Sequence, residues 1–71
     1  MGEKEGIGDQ ISSARYRIAE ARKAVDHQQQ VIEELQAIGE DTEDAERTLK
    51  ALVQTLSTLE GHLRSLSRSI Q

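Results

Sequence analysis

Histidine is the side chain best suited to shuttle protons, carry a phosphoryl group or ligate a metal near neutral pH. This chain has two, His27 and His62. A helical zinc hydrolase site sets two histidines at i and i+4, so that both imidazoles leave one face of the helix, with a glutamate between them as base. His27 and His62 are far apart in sequence, and no His-Glu-x-x-His is present. Folded back as a hairpin, the chain would set His27 level with Ser57 and His62 level with Arg22, so no set of ligands converges. There is no cysteine to act as nucleophile or thiolate ligand, no glycine-rich phosphate loop and no nucleophile beside a base. No catalytic residue, metal site or cofactor is expected, and the chain reads as non-enzymatic.

Phosphotransfer is a narrower possibility. A phosphoacceptor histidine of the sensor-kinase kind is followed by an acidic residue and a proline. His27 is followed by Gln28, Gln29 and Gln30, and the chain contains no proline. The sporulation aspartyl-phosphatases are small helical hairpins built around Ser-Gln-Glu-Leu-Asp. The nearest stretch here, Ser65-Leu66-Ser67-Arg68-Ser69, lacks the acid.

The elements that would position any such residue follow from composition and period. Seventy-one residues make one small domain. They are 35% hydrophobic, 31% charged and 1% aromatic, with a net charge of −4. No apolar run approaches the roughly 18 residues of a membrane span. One ring, Tyr16, cannot make a stacking platform for single-stranded nucleic acid. The stretch 1–8 has no apolar signal core, and Gly6 stands where a myristoylation signal has Ser or Thr. A cytoplasmic protein without membrane contact is expected.

Glycines punctuate the chain. Gly2, Gly6 and Gly8 make residues 1–8 a flexible lead-in to a helical hairpin over 9–71. Nothing breaks a helix over 9–38 or over 43–70. Asp9 or Ser12 is expected to cap the first helix, and Gly39 to close it in the left-handed conformation. Residues 39–42 form the turn. Asp41 or Thr42 then caps the second helix, with Glu43, Asp44 and Glu46 near its positive N-terminal end.

A heptad seam runs through both helices. In the first it is Ile11, Ala14, Ile18, Ala21, Val25, Gln28, Ile32 and Leu35. In the second it is Ala45, Leu49, Leu52, Leu56, Leu59, Leu63, Leu66 and Ile70. Steps of three and four throughout define an all-α, antiparallel, coiled-coil-like two-helix hairpin. Residues level across such a pair have numbers with a constant sum. Folding back at Thr42 predicts a sum of about 84, which sets Leu35 on Leu49, Gln28 on Leu56 and Ala14 on Ile70.

Such a hairpin covers one side of each seam residue, while ordering the chain costs roughly 1.5 kcal/mol per residue. A homodimer forming a four-helix bundle, or a helical protein partner, is therefore expected. The surface for it is the flank beside the seam. Ala24, Val31 and Ile38 recur there every seven residues on the first helix. Thr48, Ala51, Thr55, Thr58, His62, Ser65 and Ser69 recur at three and four on the second. The bland alternative is a solvated Thr/Ser face. Charge is unevenly placed as well. Glu33, Glu34, Glu40, Asp41, Glu43, Asp44 and Glu46 gather at the turn, whereas Arg15, Arg17, Arg22, Lys23, Arg64 and Arg68 gather at the open end. Antiparallel hairpins would match acid to base, setting Glu40, Asp41 and Glu43 of one chain near Arg15, Arg17 and Arg68 of the other, with Ala24, Val31 and Ile38 of one near Thr48, Ala51, Thr55 and Thr58 of the other. On the opposite flank, Arg22 can reach Glu60.

Two likenesses complete the reading. The basic end and Gln28–Gln30 resemble, in architecture alone, plasmid-encoded hairpins that dimerise into four-helix bundles and bind paired RNA loops. A small RNA- or DNA-binding hairpin dimer is the alternative this implies, with the acidic net charge against it. More specifically, Ile18-Ala19, Arg22, Gln30, Ile32, Leu35, then Gly39-Glu40-Asp41-Thr42, Ala45, Leu49, Thr55-Leu56 and His62 resemble a group of short uncharacterised bacterial proteins. Those carry a helix, a Gly-x-Asp-Thr turn, then Ala-x-x-x-Leu-Leu and Thr-Leu in a second helix. Leu49-Lys50 departs from the Leu-Leu of that pattern. The resemblance spans about residues 11–68. It implies a hairpin in a bacterial cytoplasm and no activity.

Overall fold

The computed structural model describes the backbone of residues 3–69. Two α-helices, α1 (Glu3–Ala37) and α2 (Glu43–Ser69), pack on one another along a rod of 56 × 16 × 14 Å. Among the described residues there is no strand.

Helix α1 starts at Glu3 rather than at Asp9. Gly6 and Gly8 are therefore helical, and Asp9 and Ser12 lie inside the helix and do not cap it. Each mid-helix glycine costs about 1 kcal/mol against alanine. Extending an existing helix requires no new nucleus, so two such residues do not terminate it.

The turn follows the chemistry of its residues. Gly39 has φ +76°, a left-handed conformation that a Cβ would strain. The Glu40 N–H donates to the Leu35 carbonyl at 2.8 Å and the Gly39 N–H to the Gln36 carbonyl at 3.1 Å. These two bonds form a Schellman motif and satisfy carbonyls that the end of α1 leaves open. Asp41 and Thr42 divide the capping of α2. Asp41 Oδ1 accepts from the Glu43 N–H at 3.1 Å. The Thr42 carbonyl accepts the first helical bond, from the Glu46 N–H at 2.8 Å, and the Thr42 hydroxyl donates to Glu46 Oε2 at 3.0 Å. Glu43, Asp44 and Glu46 occupy the first turn of α2, where carboxylates are favoured.

The seam is where the heptads put it. Ala14, Ile18 and Ile32 are buried, and every other described seam residue is half-buried. Its register is not the expected one. Gln28 Nε2 donates to the Ala45 carbonyl at 3.0 Å, a pair whose numbers (28 plus 45) add to 73. Arg22 Nη2 meets Glu60 Oε2 at 3.0 Å, a pair adding (22 plus 60) to 82. At 1.5 Å per residue, a level sum of 84 would hold Gln28 and Ala45 about 16 Å apart along the rod, beyond the reach of a glutamine. A level sum of 77 brings both pairs within about 6–8 Å along the rod, a span their side chains cover. The helices are thus one heptad out from the expected alignment. Ile32 is level with Ala45, Gln28 with Leu49, Val25 with Leu52, Ala21 with Leu56, Ile18 with Leu59, Ala14 with Leu63 and Ile11 with Leu66. Leu35 is level with the half-buried Thr42. Ile70 lies outside the described residues. A shift of seven keeps every seam residue on the seam; it closes seven seam layers, as many as the expected alignment, and adds the level of Leu35 and Thr42 at the turn.

Candidate interaction surface

In an antiparallel pair the residues just before the first seam position of each heptad line one flank, and those just after the second line the other. The structure follows this division. The Arg22–Glu60 ion pair lies on one flank, over a shallow groove that Ile18, Leu63 and Ser67 also line. Arg22 is well exposed and Glu60 half-buried, so the pair remains in contact with water and adds little to stability.

The other flank holds the expected interaction residues. Ala24 and Val31 are half-buried beside the seam. Ile38 stands at the end of α1, 71% exposed, the most exposed large apolar side chain of the described residues. On α2, Thr48, Ala51, Thr55, Thr58 and His62 are all exposed. Ala51, Thr55 and Thr58 line a common shallow groove with Gln54 and Leu59. The hydroxyls of this face are partly satisfied within the helix. Thr55 Oγ1 donates to the Ala51 carbonyl at 3.1 Å and Ser69 Oγ to the Ser65 carbonyl at 3.1 Å. A hydroxyl that already donates to its own helix loses less when another surface covers it.

Toward the open end the flank changes character. A second groove there is lined by Gln10, Ser13, Ala14, Arg17, Leu59 and His62. Its floor is apolar, from Ala14 and Leu59, and its rim carries the Arg17 guanidinium. His62 therefore faces Arg17 rather than Arg22, as the one-heptad shift requires. Arg17 was expected only as one of the open-end cations that meet a partner's acidic turn; its place on this flank follows from the same repeat, since Ala24, Val31 and Ile38 recur every seven and one more step back is Arg17. The low-charge part of the flank thus occupies the half of α1 nearer the turn.

Ion pairs elsewhere are local. Lys23 Nζ meets Glu20 Oε2 at 3.3 Å, and Arg47 Nη2 meets Asp44 Oδ1 at 3.0 Å and Glu43 Oε2 at 3.6 Å. Glu43 is therefore already paired within α2. Among the described residues no three His, Asp or Glu side chains gather as metal ligands would, and no helix is long and apolar enough to cross a membrane. No family model matches the chain, and no curated protein or solved structure matches it.

Proposed function

We propose that this chain is a non-enzymatic interaction module, a helical hairpin that self-associates through the Ala24–Val31–Ile38 flank into a four-helix bundle. The reading extends to a bacterial cytoplasmic setting, on the likeness of the turn segment alone. The observation that carries the module is the incomplete burial of its own seam. No residue of α2 is buried, and all six of its leucines keep part of their surface open. Apolar surface left in water costs roughly 25 cal/mol per Å² relative to covering it, and a second hairpin supplies cover of matching period. Light scattering coupled to size exclusion tests this. The expected mass is about twice the 7.9 kDa of one chain. Val31→Glu, which places a carboxylate on the flank, should return it to one chain mass. A single-chain mass at high micromolar concentration, with a cooperative melt, refutes self-association.

A second reading is a hairpin dimer that binds RNA or DNA, favoured by one observation: Arg15, Arg17, Arg64 and Arg68 are all exposed at the open end. Phosphate contacts weaken steeply with salt. A mobility shift with bulk nucleic acid that vanishes between 50 and 200 mM salt would support that reading over the first.

A further inference from the structure

We propose that the second copy docks in a staggered antiparallel arrangement, with Ile38 of each chain seated in the Arg17–His62 groove of the other. The proposal rests on the self-association reading and adds its partner geometry.

Three features of the flank point to this arrangement. The first is a fit between two sites on one chain. Ile38 is an exposed apolar side chain followed by the carboxylates of Glu40 and Asp41. The groove at the open end has an apolar floor, Ala14 and Leu59, and a cationic rim, Arg17. Each half offers what the other lacks, and an isologous dimer makes the contact twice. The second is register. A two-fold axis across the rods lays α1 on α1 with opposite direction, so contacting residues again have a constant sum. Ile38 with Arg17 gives 38 plus 17, or 55. Val31 with Ala24 gives 31 plus 24, also 55. Docking the tip into the groove therefore brings the half-buried apolar pair of the flank together without further adjustment. The third is charge. At the same register Glu40 lies about 3 Å along the rod from the level of Arg17 of the second copy. On α2 the matching sum is 99, which sets Thr48 on Ala51 and Thr58 level with Asp41.

This geometry differs from pairing Ala24, Val31 and Ile38 with the threonines of α2. Face-to-face hairpins of opposite direction put like helices together. It also differs from full overlap. The two α1 helices overlap from residue 18 to residue 37, and the open ends project beyond. The assembly should measure about 74 Å from one residue 3 to the other, against 56 Å for one hairpin.

The chain has no native cysteine, so introduced ones report position cleanly. Val31→Cys and Ala24→Cys chains are mixed and oxidised. The hetero-linked Ala24–Val31 product should dominate, because at sum 55 two Val31 positions lie about 10 Å apart along the rod, too far for a disulfide. Arg17→Glu should raise the dimer dissociation constant roughly tenfold, since like charges then face each other twice. Its helicity, read by circular dichroism, should stay that of the parent. A dimer in which Val31 links to Val31, or whose maximum dimension by small-angle scattering stays near 56 Å, overturns the staggered arrangement and leaves self-association standing. A monomer overturns both.

Discussion

Two glycines of this chain should respond to the same substitution with opposite signs. At Gly39 an alanine Cβ would meet no heavy atom within 4 Å, and the same is true at Gly61. Collision therefore contributes at neither site, and backbone preference alone decides. Gly39 holds φ +76° as the residue that closes the Schellman motif. A Cβ in that conformation costs about 1–2 kcal/mol. Relaxing the strain would break the Glu40-to-Leu35 bond, so the cost is not readily escaped. Gly61 lies in the interior of α2, where alanine is favoured over glycine by about 0.8–1.0 kcal/mol. For a domain of this size 1 kcal/mol moves the melting temperature by about 4–8 °C. Gly39→Ala should lower it by at least that amount and Gly61→Ala should raise it. The assay is thermal unfolding followed at 222 nm, with all three proteins at one concentration, because any dimer makes the midpoint concentration-dependent. Shifts of the same sign, or a Gly39→Ala protein as stable as the parent, would show that the turn does not depend on a left-handed residue at 39.

The seam and caps give further tests. Gln28→Leu exchanges a hydrogen bond of about 1 kcal/mol for a half-buried leucine of similar worth, so the melting temperature should stay within about 4 °C of the parent; a larger rise would mean that the bond to the Ala45 carbonyl contributes nothing. Register is read by paired cysteines: Val25→Cys with Leu52→Cys should close an intramolecular disulfide, and Val25→Cys with Leu59→Cys should not, the reverse being the signature of the alignment one heptad away. Asp41→Ala removes the acceptor of the Glu43 N–H and should destabilise by about 0.5–1 kcal/mol in the same melt; no change would assign the cap to Thr42 alone.

What could be read from residue types was local or periodic. The seam is visible because Ile, Leu, Val and Ala recur at three and four, and the turn because Gly39, Asp41 and Thr42 each have one strong conformational use. Arg22–Glu60 was also accessible, since the flank division needs only the heptad phase. The register was not. Two regular heptads superpose on themselves after seven residues, so alignments at 77 and 84 place the same kinds of side chain on the seam. What separates them is the reach of one amide, Gln28 to the Ala45 carbonyl, together with the cover that Thr42 gives Leu35 at the turn. The start of α1 escaped for a different reason. Gly6 and Gly8 are poor helix residues taken singly, but a helix already nucleated downstream runs through them to Glu3. Arg17 was legible as a charge at the open end but not as part of a groove, because the groove exists only once the register sets Arg17 beside Leu59 and His62.

The same repetition makes the rod a ruler. Each layer resembles its neighbours, and the turn sets the zero from which layers are counted. Seven residues inserted in both helices at matching levels would lengthen the rod by about 10 Å and leave the face of every other side chain unchanged. Seven inserted in one helix alone would leave every seam residue on the seam but change its opposite number. A hairpin of this kind can therefore vary in reach between related chains without any change in turn, seam or flank chemistry, and the distance it spans is encoded by how many layers it holds.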